Sequence, residues 1–437
     1  MAYRHRALAI SAALLLALLT FTSYAAAQTL TTLYSFIGGS DGDVPLGHLA
    51  IVGGPSGPSV LYGATYSDPS IVFSLTPPAS PGDSWTYAVV YAFTGGPTNG
   101  IGGYLPMGGV VMGSGGVLYG TTLNGGGGTN CQQSLGCGTV FSLTPPASPG
   151  GAWTETLLYG FTGGSDGALP GAGLAIGPGG LLYGTTVSGG AFNAGAVFSL
   201  TPPSSPGGAW TETVLHNFAR GSNGAAPAAG VAIGPGGGLY GTTEHGGAAG
   251  CGTLFTLKPP ASSGGSWAEK TLYSFACAPD GSKPQAGVVM GGGGVLYGTT
   301  RSGGTGNCPS GCGTVFSLTP PATPGISWTE TVLHSFAGGS DGAYPIFAGV
   351  VIGSGGVLYG TTAEGGIESA CCGTVFSLTP PLFPGGTWTA AVFAFGGSPN
   401  AGSSPYGGVV LGPDGVLYGT TTGGGTRNNG AVFAWKP

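Results

Sequence analysis

The sequence predicts an all-β chain folded as a seven-bladed β-propeller with four antiparallel strands per blade, and three observations predict it. The phrase Leu-Tyr-Gly-Thr-Thr, once Leu-Tyr-Gly-Ala-Thr, occurs seven times, with its tyrosine at Tyr62, Tyr119, Tyr183, Tyr240, Tyr297, Tyr359 and Tyr418. Successive copies lie 57 to 64 residues apart, and each unit holds four strand-like segments. The last unit stops after its third segment at Trp435, while residues 28–36 align with a fourth segment such as Trp153 to Phe161 and have no unit before them.

Each unit reads as a GVVIG-like apolar run, a glycine-rich turn, LYGTT, a glycine-rich loop, GTVFSL, a TPPASPGG connector and WTETVLYSF. In GTVFSL and WTETVLYSF, β-branched and aromatic residues alternate with small or polar ones, the period-2 pattern of a strand. Glycine in turns such as Gly113 to Gly116 or Gly412 to Gly415 permits positive φ, so the first two segments read as a hairpin. The double prolines at Pro145-Pro146 and Pro320-Pro321 cannot donate to a ladder and mark a strand end.

Four-stranded units of this size arranged radially are propeller blades. The expected blades, numbered one to seven, cover approximately 46–93, 107–161, 171–218, 228–275, 286–336, 348–395 and 407–435. Residues 28–36 are expected to supply the missing outer strand of blade seven and so close the ring. The GVVIG-like run is expected innermost. The phenylalanines at 73, 141, 198, 255, 316, 376 and 433, with the phenylalanine ending each outer strand, are expected to fill the space between blades.

The chain opens with basic Met1 to Arg6, an apolar run from Ala7 to Phe21, and Ala25-Ala26-Ala27 before Gln28. That order predicts a signal peptide over residues 1–27, cleaved to leave 28–437, and places the product outside the cell or in the periplasm. The run is short for a membrane span, which needs roughly 20 residues, and no later segment offers one. Removing Arg4 and Arg6 takes the formal net charge from −6 to −8. Nucleic acid is thereby excluded as an expected partner, and a monomer is expected.

Eight cysteines in an exported chain read as disulfide candidates. Cys137, Cys251, Cys312 and Cys372 share one repeat position, and each has a companion: Cys131, Cys277, Cys308 and Cys371. The adjacent Cys371 and Cys372 could bridge only through a strained eight-membered ring, so their state stays open.

The combination seen in Gly355 to Gly366, Gly373 to Pro381 and Trp328 to Phe336 resembles the GloVer tandem repeat, or choice-of-anchor, proteins of bacteria, over essentially the whole chain after residue 27. More distantly, the progression of strands is similar to NHL-type propeller repeats. The resemblance implies a secreted or cell-surface location and brings no established activity or catalytic residues. No sorting signal follows Trp435-Lys436-Pro437, so release is expected over attachment.

In a four-strand blade, the loops from outer to next inner strand and between strands two and three emerge on one face. That face collects Asp41, Asp166, Asp280 and Asp341, mainly in the phrase Gly-Gly-Ser-Asp-Gly, together with Glu244, His245, Glu364 and Arg301. The aspartates read either as a carboxylate ring for calcium or a hydroxyl-rich ligand, or as Asx turns, in which Asp bonds nearby backbone. The Asx reading explains the Ser-Asp-Gly order and the appearance of Asn223 and Asn400 in sister loops. No cofactor or metal site is assigned. Glu155, Glu212 and Glu330, on outer strands, read as a solvated face. No nucleophile elbow, P-loop, dinucleotide fingerprint or zinc set is present, so no catalytic residue is named. The expected function is a binding or scaffold propeller for a polysaccharide or protein. A carbohydrate-active hydrolase or lyase using carboxylates on the looped face, and a purely structural envelope component, are the alternatives.

Overall fold

The computed structural model describes residues 28–437 apart from 54–58, 81, 95–101, 132–134, 149, 206, 263, 324, 348, 368–371, 384 and 397–401. The expected signal peptide, residues 1–27, lies outside the described residues. Seven four-stranded antiparallel sheets form the blades. Blade one runs outward as Ala50–Val52, Val60–Ala64, Ile71–Thr76 and Thr86–Ala92. No α-helix occurs among the described residues. The first two strands are joined by a single turn of 3-10 helix in blades two to six, as at Ser114–Gly116, where Gly115 takes φ 69°.

Blade seven has inner strands Val409–Leu411, Leu417–Thr421 and Ala431–Lys436, and its outer strand is Thr29–Ser35 from the beginning of the chain. Thr29 lies opposite Lys436 and Ser35 opposite Ala431.

The repeat phrases follow from packing between blades. A Cβ on the glycine of LYGTT would overlap the ring of the neighbouring third-strand phenylalanine, as at Gly120 against Phe141 and Gly184 against Phe198, so glycine makes room for that ring against the strand. Each of these phenylalanines in turn meets the phenylalanine ending the preceding blade. The seven pairs, among them Phe36–Phe73 and Phe395–Phe433, are edge-to-face with centroids 5.0 to 5.3 Å apart. Such pairs contribute about 0.5–1.5 kcal/mol each beyond their burial.

Toward the opposite face, the LYGTT tyrosine meets the outer-strand tryptophan of the next blade, as in Tyr62–Trp153 and Tyr119–Trp210. Blade seven departs from this, because its outer strand carries no tryptophan. There Trp435, on the third strand and 1% exposed, packs on Tyr359 of blade six. Polar stitches run alongside: the hydroxyls of Thr121, Thr185 and Thr242 each donate, at 2.9 Å, to a carbonyl of the next blade's inner segment.

Three disulfides staple the looped face: Cys131–Cys137, Cys251–Cys277 and Cys308–Cys312. Cys372 is also disulfide-bonded, and its expected companion Cys371 lies outside the described residues. No described helix is long and apolar enough to cross a membrane.

Candidate functional site

The predicted aspartates are separate loop latches, one per blade. The Tyr34 hydroxyl donates to Asp41 at 2.9 Å, Tyr159 to Asp166 at 3.1 Å and Tyr273 to Asp280 at 2.9 Å, each across seven residues. The same carboxylates accept the backbone amides of Ile37, Thr162 and Ala276. His334 and the Ala337 amide serve Asp341 likewise, and Asn223 takes the carboxylate's place between His216 and the Ala219 amide. Burial first, and then the adjacent carboxylate, holds the phenols of Tyr34, Tyr159 and Tyr273 well above their ordinary range. Burial alone would raise the Asp341 carboxyl, but hydrogen bonds from His334 and Ala337 hold it below the usual value.

Glu212 and Glu330 differ from their expected solvated role. Each is half-buried because the outer strand carrying it leans over the latch of the preceding blade, and each leaves Oε1 buried with no hydrogen-bond partner. Burial, then the charge of Asp166 or Asp280, pushes both glutamates up to about 7. At the next seam along, the Asn223 amide donates to Glu269 at 3.0 Å. At the seam between blades seven and one, Tyr87 replaces the glutamate, donating to the Asp41 carbonyl and stacking on Tyr34 with centroids 4.4 Å apart.

The looped face is built on a second repeated device. The residue before the proline that opens each inner segment takes a positive φ: Val44, Leu105, Leu169, Ala226, Lys283, Tyr344 and Ser404, with φ from 50° to 63°. Non-glycine residues rarely adopt this conformation, at a cost of roughly 1–3 kcal/mol each. Two main-chain bonds hold it in place. The carbonyl accepts from the residue following LYGTT, as Val187 to Leu169 and Arg301 to Lys283, and in six blades the amide donates to a carbonyl at the end of the preceding blade's loop, as Lys283 to Cys251. In blade two the Leu105 amide finds the Ser70 hydroxyl instead. All seven side chains are half-buried.

These positions divide the face. Blades four to six present Glu244, His245, Lys283, Arg301, Tyr344 and Glu364, while blades one to three present Tyr66, Tyr104, Leu105, Leu123, Asn124 and Leu169. Of the predicted site residues, Glu244 and His245 approach within 3.7 Å. Burial, followed by the Glu364 charge, raises the Tyr344 hydroxyl, with Arg301 opposing, so these three share one neighbourhood. The described residues contain no group of three or more acidic, histidine or cysteine side chains able to hold a metal.

Across blades one to four runs a groove of about 960 Å³, bounded by Tyr66, Tyr104, Asn124, Asn130, Arg220 and His245. Only His245 was singled out from the sequence. The others occupy loop positions whose residue type changes from blade to blade, and that variation between otherwise equivalent loops is the signal that marks them. Arg220 is fixed by a 3.0 Å bond from its guanidinium to the Asn193 carbonyl.

The chain is similar to several solved structures. A candidate 6-phosphogluconolactonase of Bacteroides fragilis is 14% identical, with a TM-score of 0.50 over 84% of this chain and 89% of that one. A second, from Bacteroides uniformis, is 13% identical with a TM-score of 0.47, covering 79% and 84%. A sialidase of Trypanosoma rangeli is 11% identical with a TM-score of 0.38, covering 94% and 59%. No curated protein matches the chain significantly. The Gloeobacter/Verrucomicrobia repeat matches residues 127–346 and 263–437, and the protein therefore belongs to that repeat family.

Proposed function

We propose that the protein is an exported binding propeller that holds a glycan chain in the groove on its looped face. The observation that carries this reading is the groove's chemistry. Two tyrosines, Tyr66 and Tyr104, stand beside the amide side chains of Asn124 and Asn130 and the anchored Arg220. Aromatic faces stack on the apolar faces of sugars while amides and guanidinium match their hydroxyls, and a volume near 960 Å³ accommodates several sugar units. Loops displayed on a rigid ring are a frequent place for recognition. The disulfides agree with an oxidising compartment.

A glycan array probed with the purified chain, followed by calorimetry on any glycan retained, tests the reading. Tyr104→Ala is expected to weaken binding at least tenfold, on the scale of about 1–3 kcal/mol for a lost aromatic platform. Retention of a protein partner alone, or turnover of the glycan in place of binding, would replace this assignment.

A further inference from the structure

The loop leaving the outer strand of blade three carries Arg220, two residues after Phe218. The same place in sister loops is glycine: Gly38 follows Phe36, Gly163 follows Phe161 and Gly338 follows Phe336. These glycines take φ of 80° or 81°. Gly338 has ψ −175°, and Arg220 keeps that backbone shape with φ 66° and ψ −168°. Its amide also makes the sister bond, donating to the Gly224 carbonyl at 3.0 Å where Gly338 donates to Gly342 at 3.1 Å. Positive φ with ψ near 180° is a region almost reserved for glycine, so arginine is an unfavourable residue for folding here. Cys277, with φ 69° at the same place in the next loop, is tied by its disulfide to Cys251. Arg220 has no covalent tie, and strain of this kind collects at binding and catalytic sites.

The Arg220 side chain is exposed and bounds the groove. Of its five N–H donors, one on Nη2 is spent on the Asn193 carbonyl. Asn193 is itself pinned, its Oδ1 accepting the Gly189 amide at 3.0 Å and its own amide donating to the Gly190 carbonyl at 3.1 Å. The guanidinium is thus oriented from one side, and among the described residues it has no carboxylate partner. Although the chain has 15 acidic residues against 9 lysines and arginines, no aspartate or glutamate is among the described residues that line the groove. Asp166, in the adjacent loop, is engaged by the Tyr159 hydroxyl and the Thr162 amide. Glu244 stands 3.7 Å from His245, so that histidine has a carboxylate of its own. Arg220 is the cation left to a ligand.

We propose that Arg220 makes the groove selective for acidic glycans, pairing the free edge of its guanidinium with the carboxylate of a uronic acid unit. A planar fork of donors matches a carboxylate through two parallel bonds. The inference rests on the reading of the groove as a glycan site and adds the charge of the glycan to it.

An array holding polygalacturonate, alginate and hyaluronate, each beside its carboxyl-reduced neutral form, together with a sulfated galactan, tests the assignment on the full purified chain. At least one uronate polymer is expected to bind about tenfold more tightly than its reduced form, the scale of a charge-assisted pair. In Arg220→Gly and Arg220→Gln that ratio is expected to fall toward one. Arg220→Gly restores the residue of the sister loops, so its urea midpoint is expected to be no lower than that of the unaltered protein, which separates lost selectivity from lost fold. Equal binding of acidic and reduced forms, preference for the sulfated galactan over every uronate, a ratio untouched in both variants, or a lowered midpoint in Arg220→Gly would overturn the proposal. Retention of neutral glycans alone, abolished in Tyr104→Ala, would leave the groove a glycan site and remove only its acidic character. Retention of no glycan would overturn both readings.

Discussion

The Tyr273 hydroxyl donates a 2.9 Å hydrogen bond to Asp280, and the carboxylate oxygen that accepts it also accepts the Ala276 amide at 2.7 Å. One side chain thus fastens the end of an outer strand to the loop that leads to the next blade. Replacing it by alanine removes the acceptor of the half-buried Tyr273 hydroxyl and of the exposed Ala276 amide. Asp280→Ala is expected to lower stability by about 1–3 kcal/mol in urea denaturation. Asp280→Asn should retain most of that, because Asn223 fills the same role two loops from Asp341 in the unaltered chain.

Stability should fall as pH rises through neutrality. Glu212 and Glu330 titrate near 7 in the folded chain and near 4.5 when unperturbed, so the folded state holds their protons more tightly. Their contribution is complete below about 4.5 and is lost as pH climbs through about 7. His216, held below its ordinary value by burial, acts in the opposite direction. Comparing the melting temperature of the unaltered protein with that of Glu212→Gln/Glu330→Gln at pH 5 and 8 isolates the glutamates: the double variant is expected to lose the decline and to be the more stable protein at pH 8.

Blades, strand order and the aromatic ladder were legible in the sequence because each repeats in every unit. A Phe–Phe contact that recurs at each seam leaves its mark in every unit. The outer-strand glutamates were misread for a related reason. Glu212 alternates with threonines as a solvent-facing residue would, and what covers it is the Asp166 loop of another blade, a neighbour that strand periodicity does not reveal. The groove residues Tyr104 and Asn130 sit at loop positions whose residue type changes from blade to blade, so a search for motifs that recur in every unit passes over them.

Trp435 carries the seam between blades six and seven. Trp435→Ala is expected to cost about 3–5 kcal/mol, the usual range for emptying a buried aromatic site. Trp435→Phe should cost much less, since the indole Nε1 has no hydrogen-bond partner to lose. Denaturation midpoints of the two variants check both expectations.

The Cys251–Cys277 bridge closes a separation of 26 residues and Cys308–Cys312 one of 4. Chain entropy then ranks them: removing the first by paired serine substitution is expected to cost about 3 kcal/mol and removing the second about 2 kcal/mol. Guanidinium titrations of the two variants, read against the unaltered protein, check the order.

The clamp at Val44, Leu105, Leu169, Ala226, Lys283, Tyr344 and Ser404 is made from amide and carbonyl groups that every residue type but proline possesses. Six different amino acids already occupy these seven seats without altering the main chain beneath them. Evolution can therefore rewrite these loop positions letter by letter, or by duplicating and exchanging whole blades, while the architecture that displays those letters stays still. One inherited scaffold can in this way serve many chemical vocabularies.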